Sequence, residues 1–157
     1  MTPTENPFNP ADPLRHHLWE RHIRADIDAF IAGDWGAVAG DFDEAAFQAI
    51  DAGFSPDPAD WTIGFPTLAA YRDRWLEMSA ETRATADPDR LRDAMFAGVR
   101  LARIDVYDGD MAILHKVFDG VTPLKDGQED PYAWQSVFTL RLRDGAWKIT
   151  SFVGYMA

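Results

Sequence analysis

The chain has 157 residues, 46% of them hydrophobic, a formal net charge of -11 and no cysteine. That length makes one ordinary domain with a core that needs no covalent staple. The acidic balance argues against nucleic acid, and the missing cysteines exclude disulfides, thiolate nucleophiles and Cys-based zinc sites, which fits a reducing cytoplasm.

In chain order, residues 1–13 are rich in Pro, Asn and Asp and read as a flexible N-terminal arm, without the basic and apolar regions of a signal peptide. Asp12 and Pro13 suit the start of a helix. Leu14, Leu18, Ile23, Ile27, Phe30 and Ile31 then recur near helical spacing until Gly33, a good helix-ending residue. Asp34 can cap a second, shorter helix carrying Trp35, Val38 and Phe42, and a short strand is expected over 45–50. The stretch AGFSPDPADWTIGFP is dense in Gly, Pro and Asp and reads as a long loop. Thr67 caps a helix bearing Leu68, Tyr71, Trp75 and Met78, and residues 91–97 predict a further helical turn. Two hairpins follow. Strands 99–107 and 111–119 flank Asp108-Gly109, and strands 132–143 and 146–155 flank Asp144-Gly145. Helices first and hairpins last is an α+β pattern, with an antiparallel, curved sheet and the helices on one face. No apolar run approaches the ~18 residues of a membrane span.

The order of FIAGDWGAVAGDFDEAAF, then GFPTLAAYRDRW, then GAWKITSFVGY resembles the nuclear transport factor 2-like superfamily. There a long and a short helix meet at a bend, here Gly33-Asp34, and close a cone against a strongly curved antiparallel sheet. The resemblance covers roughly residues 14–156, so 14–157 are read as one domain, nearest the SnoaL-like group of polyketide cyclases and similar small proteins. It implies helices packed on the concave face and a homodimer through the outer sheet face. It also implies a cavity for a small, mostly apolar molecule. Some members, such as ketosteroid isomerase and scytalone dehydratase, are enzymes that work by acid/base chemistry without a cofactor; others only bind or assemble.

If both hairpins have two-residue turns, Ala102 pairs with His115, Ile104 with Ile113 and Val106 with Met111; Trp134 pairs with Tyr155, Phe138 with Ser151, Leu140 with Ile149 and Leu142 with Trp147. His115 then lies on the cavity face, where an imidazole suits proton transfer near neutral pH. The alternative for His115 is a structural hydrogen bond. The isomerase base, four residues past the Ala of an Asp-Asp-Ala run, falls on Ala49, and the first helix has no Tyr. Asp51, two residues on, is the candidate partner of His115, or a loop-start Asp before Gly53. Trp19, His22, Tyr71, Trp75, Trp134, Phe138 and Tyr155 are expected to shape the pocket, with Trp61 as a lid or as an anchor for its loop. His16, His17 and Glu20 share helical spacing but lack a partner cluster, so neither a metal nor a cofactor is expected. The expected activity is an isomerase, cyclase or dehydratase type. The competing expectation, favoured by the missing base and Tyr, is a non-catalytic dimeric ligand-binding or assembly module.

Overall fold

In the computed structural model, which describes residues 1–157, Asp12 accepts from the Arg15 N–H and Pro13 takes the first helical position. The helix runs as α1 (Pro13–Trp19), a π-helical segment (Glu20–Ala25) and α2 (Asp26–Ala32). The wider π turn adds a residue to the repeat, so Leu18, Ile23 and Ile27, spaced five and four apart, are all buried. Asp26 N–H bonds to Ile23 O rather than to His22 O, and His22 O instead takes a side chain from the sheet. Gly33 ends the helix at φ 68°, with its N–H on Phe30 O and the Asp34 N–H on Ala29 O. The chain then turns through two 3-10 turns, Trp35–Ala37 and Ala39–Asp41, where the sequence predicts one short helix. Gly36 and Gly40 weaken any longer α-helix there.

The sheet has six strands in the order β2-β1-β6-β5-β4-β3, and its pairs are antiparallel except β1 with β6, which is parallel. β1 is Gln48–Asp51 and β2 is Thr62–Phe65; β2 lies in the stretch expected to be loop. Its Gly64 supplies close approach, because a Cβ there would sit 2.7 Å from Asp51 Cβ. α3 (Leu68–Thr85) starts with Thr67 Oγ accepting from the Ala70 N–H. α4 (Leu91–Gly98) leads into β3 (Val99–Tyr107). β4 (Met111–Pro123) and β5 (Glu129–Arg143) are longer than the sequence suggests, because most of residues 121–131 continues the hairpin; β6 is Ala146–Met156.

The first hairpin departs from the two-residue turn. Residues 108–110 form the turn, with Asp108 at φ 50° and Gly109 at φ 74°, and Tyr107 pairs with Met111. The extra turn residue shifts the register, so His115 pairs with Arg103, not Ala102, and Ile104 pairs with Leu114, not Ile113; a bulge between Leu101 and Arg103 follows. In β5–β6 the Leu142–Trp147 and Leu140–Ile149 pairs stand as predicted. A bulge at Thr150 then moves Phe138 opposite Phe152 instead of Ser151, and a second lies between Gln135 and Val137.

The core joins helix and sheet through Leu18, Ile23, Ile27, Phe96, Leu114, Leu140, Ile149 and Phe152. The residues ahead of α1 lie on this body. Asn6 Nδ2 donates to His16 O and to Glu20 Oε1, Arg24 donates to Thr4 O, and Phe8 packs on the core.

Candidate functional site

β4 decides the site. Ala112, Leu114 and Lys116 are buried on its inner face, while Ile113, His115 and Val117 alternate onto the outer face. The inner face borders a cavity of about 370 Å³, closed by the π-helical segment, α2, α3, α4 and the inner faces of β5 and β6. Nineteen of its 29 lining residues are hydrophobic, so each polar group among them matters individually.

Four polar groups gather where the π-helical segment meets the sheet. Lys116, 4% exposed, donates through its ammonium to Asp26 Oδ2 at 2.6 Å and to His22 O at 2.7 Å, with the Phe118 ring 5.2 Å away. Asp26 keeps a third of its side-chain surface open. His22 is buried, and its imidazole is pushed down to about 3, first by burial and then by the charges of Lys116, Arg21 and His17. It is therefore neutral near pH 7 and can donate or accept one hydrogen bond. Buried Ser136 lies on β5 between Trp134 and Phe138 and completes the group. The charged lining residues cancel: Arg21, Arg74 and Lys116 stand against Asp26, Asp41 and Glu81. Arg21 grips Asp41 through two nitrogens, at 2.9 and 2.8 Å.

Aromatic rings build the rest. Tyr71 packs among Trp35, Phe42, Phe47, Phe65 and Phe152, and burial holds its phenol protonated well beyond the ordinary range. At the other end Phe118 stacks on Trp134 at 4.6 Å, and Trp134 meets Tyr155 at 5.9 Å and Phe54 at 5.9 Å. Phe54 and Tyr155 both have left-handed backbones, φ 61° and 56°, where bulky residues are strained. The Phe54 N–H donates to Tyr155 O at 2.8 Å, so the two strained residues hold each other. The Tyr155 turn puts its ring into the cavity, its hydroxyl donating to Met78 Sδ at 3.6 Å. Burial, then the Asp51 carboxylate, raises that phenol. Phe54, Arg74, Met78 and Tyr155 also border an outer depression of about 520 Å³.

Six of the eight expected pocket residues line the cavity: His22, Tyr71, Trp75, Trp134, Phe138 and Tyr155. Trp19 does not. It is buried against Phe96 with Arg24 over its ring, on the core side of the helix. Trp61 anchors its loop, its Nε1 donating to Ser55 O at 3.0 Å. His115 is corrected to the outer face, where Nε2 meets Gln135 Oε1 at 2.7 Å, because the three-residue turn displaces the assumed register. Asp51 borders the outer depression, and its Oδ1 accepts from the Gly53 N–H; His115 and Asp51 are therefore not brought together in the cavity.

Lys116, Asp26 and Ser136 escaped the sequence reading. The signal for Lys116 was present: at period two, Ala112, Leu114, Lys116 and Phe118 form an apolar row with one ammonium in it. Asp26 lies four residues after His22, between the buried Ile23 and Ile27.

No protein-family model matches the sequence, and no curated protein matches it. Solved structures do. An NTF2-like protein of unknown function from Pseudomonas putida superposes with a TM-score of 0.57 at 17% identity, over 92% of this chain and 85% of that one. The association domain of C. elegans CaMKII gives 0.56 at 12% identity, over 93% and 98%. A domain of unknown function with a cystatin-like fold from Nostoc punctiforme gives 0.53 at 16% identity, over 94% and 78%. The chain has the NTF2-like, α+β fold, and no helix is long and apolar enough to cross a membrane.

Proposed function

We propose that the protein binds one small, mostly apolar molecule in the cavity, its single oxygen acceptor turned to Lys116. The observation that carries this reading is the buried Lys116–Asp26 pair in a wall otherwise made of aliphatic and aromatic side chains. A buried ammonium with two acceptors has one N–H left, and a ligand oxygen is the natural third partner. Because the lining charges cancel, a neutral ligand keeps the cavity neutral, whereas a carboxylate adds an unmatched charge. Acid/base chemistry of the isomerase, cyclase or dehydratase kind would use Asp26 as base, Lys116 as the group that stabilises a developing oxyanion, and neutral His22 as a hydrogen-bond partner. No cofactor is assigned. Within the fold, the Gly33-Asp34 bend and the Gly145-Ala146-Trp147 turn favour the SnoaL-like group, and the cysteine-free chain suits the cytoplasm.

Titration of tryptophan fluorescence with three transparent probes tests this reading: 2-decalone, decalin and decahydro-2-naphthoate. 2-Decalone should saturate and bind roughly 10-fold tighter than decalin, the worth of one charge-assisted hydrogen bond. The carboxylate should bind worst. No saturable binding by any probe would remove the reading.

The second reading, a dimeric assembly module, is favoured by the outer sheet face. Ile113, Val117, Val137 and Val153 lie there half-buried around the His115–Gln135 pair. We propose that this face joins two copies of the chain, and sedimentation velocity would show a single protomer if it does not.

A further inference from the structure

We propose that Lys116 is a nucleophile as well as a hydrogen-bond donor, condensing with the carbonyl of a small apolar aldehyde or ketone to form an imine. This rests on the reading that the cavity takes a small apolar molecule with its one oxygen turned to Lys116, and names that oxygen a carbonyl. The chain has three lysines, and the other two are occupied on the surface: Lys125 Nζ donates to Arg83 O and Ala84 O, and Lys148 Nζ to Gly40 O. Of the three, only Lys116 lines this cavity; apolar surroundings are the setting in which a lysine acts as a nucleophile, and the Asp26 carboxylate in contact with it is the acceptor for its proton.

Asp26 supplies the proton traffic. Its Oδ2 lies 2.6 Å from Lys116 Nζ and takes one proton from the ammonium, leaving a lone pair on nitrogen. That pair attacks the carbonyl carbon; the C–N bond forms as the C=O π bond breaks, and the oxygen ends as the hydroxyl of a carbinolamine, which takes up the second nitrogen proton. Asp26 returns its proton to this hydroxyl, the C–O bond breaks, and water leaves as the C=N bond forms. Ammonium plus carbonyl thus becomes a protonated imine plus water. The single positive charge stays on nitrogen opposite the Asp26 carboxylate, so the charge balance of the cavity does not change. Ser136 and neutral His22 are uncharged polar groups of the same lining that can hydrogen-bond the carbinolamine hydroxyl. The His22 carbonyl, fixed at 2.7 Å, holds Lys116 in place from the other side.

The full-length protein is incubated with cyclohexanecarbaldehyde and sodium cyanoborohydride, which reduces an imine to a stable secondary amine, and the label is mapped by peptide mass spectrometry. Lys116 should carry the cyclohexylmethyl group at least ~10-fold faster than Lys125, Lys148 or the N-terminal amine. Asp26→Asn should slow Lys116 labelling ~10-fold or more while the surface amines keep their rates, and Lys116→Met should remove the fast label. If Lys116→Met does not fold, the map of the natural protein still decides. Labelling of Lys116 no faster than of the surface amines overturns the inference. When 2-decalone nonetheless saturates the tryptophan signal, the binding reading survives without it; when no probe binds, both fail.

Discussion

The two faces of β4 carry adjacent side chains of opposite circumstance. On the inner face Lys116 is almost entirely out of water, held by a carboxylate and a backbone carbonyl from the helix. On the outer face His115 is half-buried and makes one side-chain bond, to Gln135 on the neighbouring strand. One residue of spacing separates a group whose removal leaves a charge without its partner from one whose removal leaves a neutral amide. Position relative to water, more than the chemical type of the side chain, sets what each contributes.

The largest test of that contrast is Lys116→Met. Methionine fills the aliphatic volume but leaves Asp26 facing the cavity without its ammonium. Breaking a buried pair in this way costs several kcal/mol, and because Asp26 keeps a third of its side-chain surface open, about 3 kcal/mol is expected. Urea unfolding measures it. Adding Asp26→Leu to Lys116→Met should recover most of the loss, since an apolar pair leaves no orphaned charge. A single variant within about 0.5 kcal/mol of the natural protein would show that the pair is not buried as described.

How much of this was legible beforehand follows from the same strand. The helix from Pro13, its end at Gly33, the cap at Thr67 and both hairpins are local events, written in capping residues, apolar periods and Asp-Gly turns. Six pocket residues followed, because they are large apolar or amphipathic groups on the periodic faces of those elements. The identity of the polar centre did not follow. Asp108-Gly109 suits a two-residue turn and also a three-residue one in which Asp108 takes φ 50°, and sequence does not separate the two. That one residue decided whether His115 or Lys116 looked inward. β2 was hidden for a related reason: Gly64 weakens a strand locally, and only the 2.7 Å that a Cβ there would leave to Asp51 Cβ shows why a glycine is needed. The π-helical segment that places His22 and Asp26 beside Lys116 depends on a partner 90 or more residues away.

The next effect in size belongs to His22 and depends on pH. Its imidazole is held down to about 3 by burial and by neighbouring positive charges, while an unfolded histidine titrates near 6.5. Between those values the unfolded chain binds the extra proton, so this contribution is complete above about pH 6.5 and is lost as the pH falls toward 3. The slope is at most ~1.4 kcal/mol per pH unit. His22→Gln keeps a neutral polar group and should flatten the difference in stability measured between pH 6.5 and 5, before most carboxylates titrate. An unchanged slope would mean that His22 reaches water in the folded protein.

The smallest effect is expected outside, and it separates the two readings of the sheet. His115→Ala removes one hydrogen bond to Gln135 in a half-exposed setting, so unfolding should shift by only ~0.5–1 kcal/mol. Lys116 and the cavity lie on the other face, so 2-decalone affinity should stay within about twofold, since the substitution touches nothing that the ligand does. The outer face is different. If two copies meet across Val117, Val137 and Val153, His115 sits between them and its loss should weaken association, seen as a larger monomer fraction on dilution. Weakened association with unchanged binding assigns the two faces of β4 to separate tasks. A 10-fold fall in 2-decalone affinity with no change in assembly would return His115 to the cavity and undo the register on which the site depends.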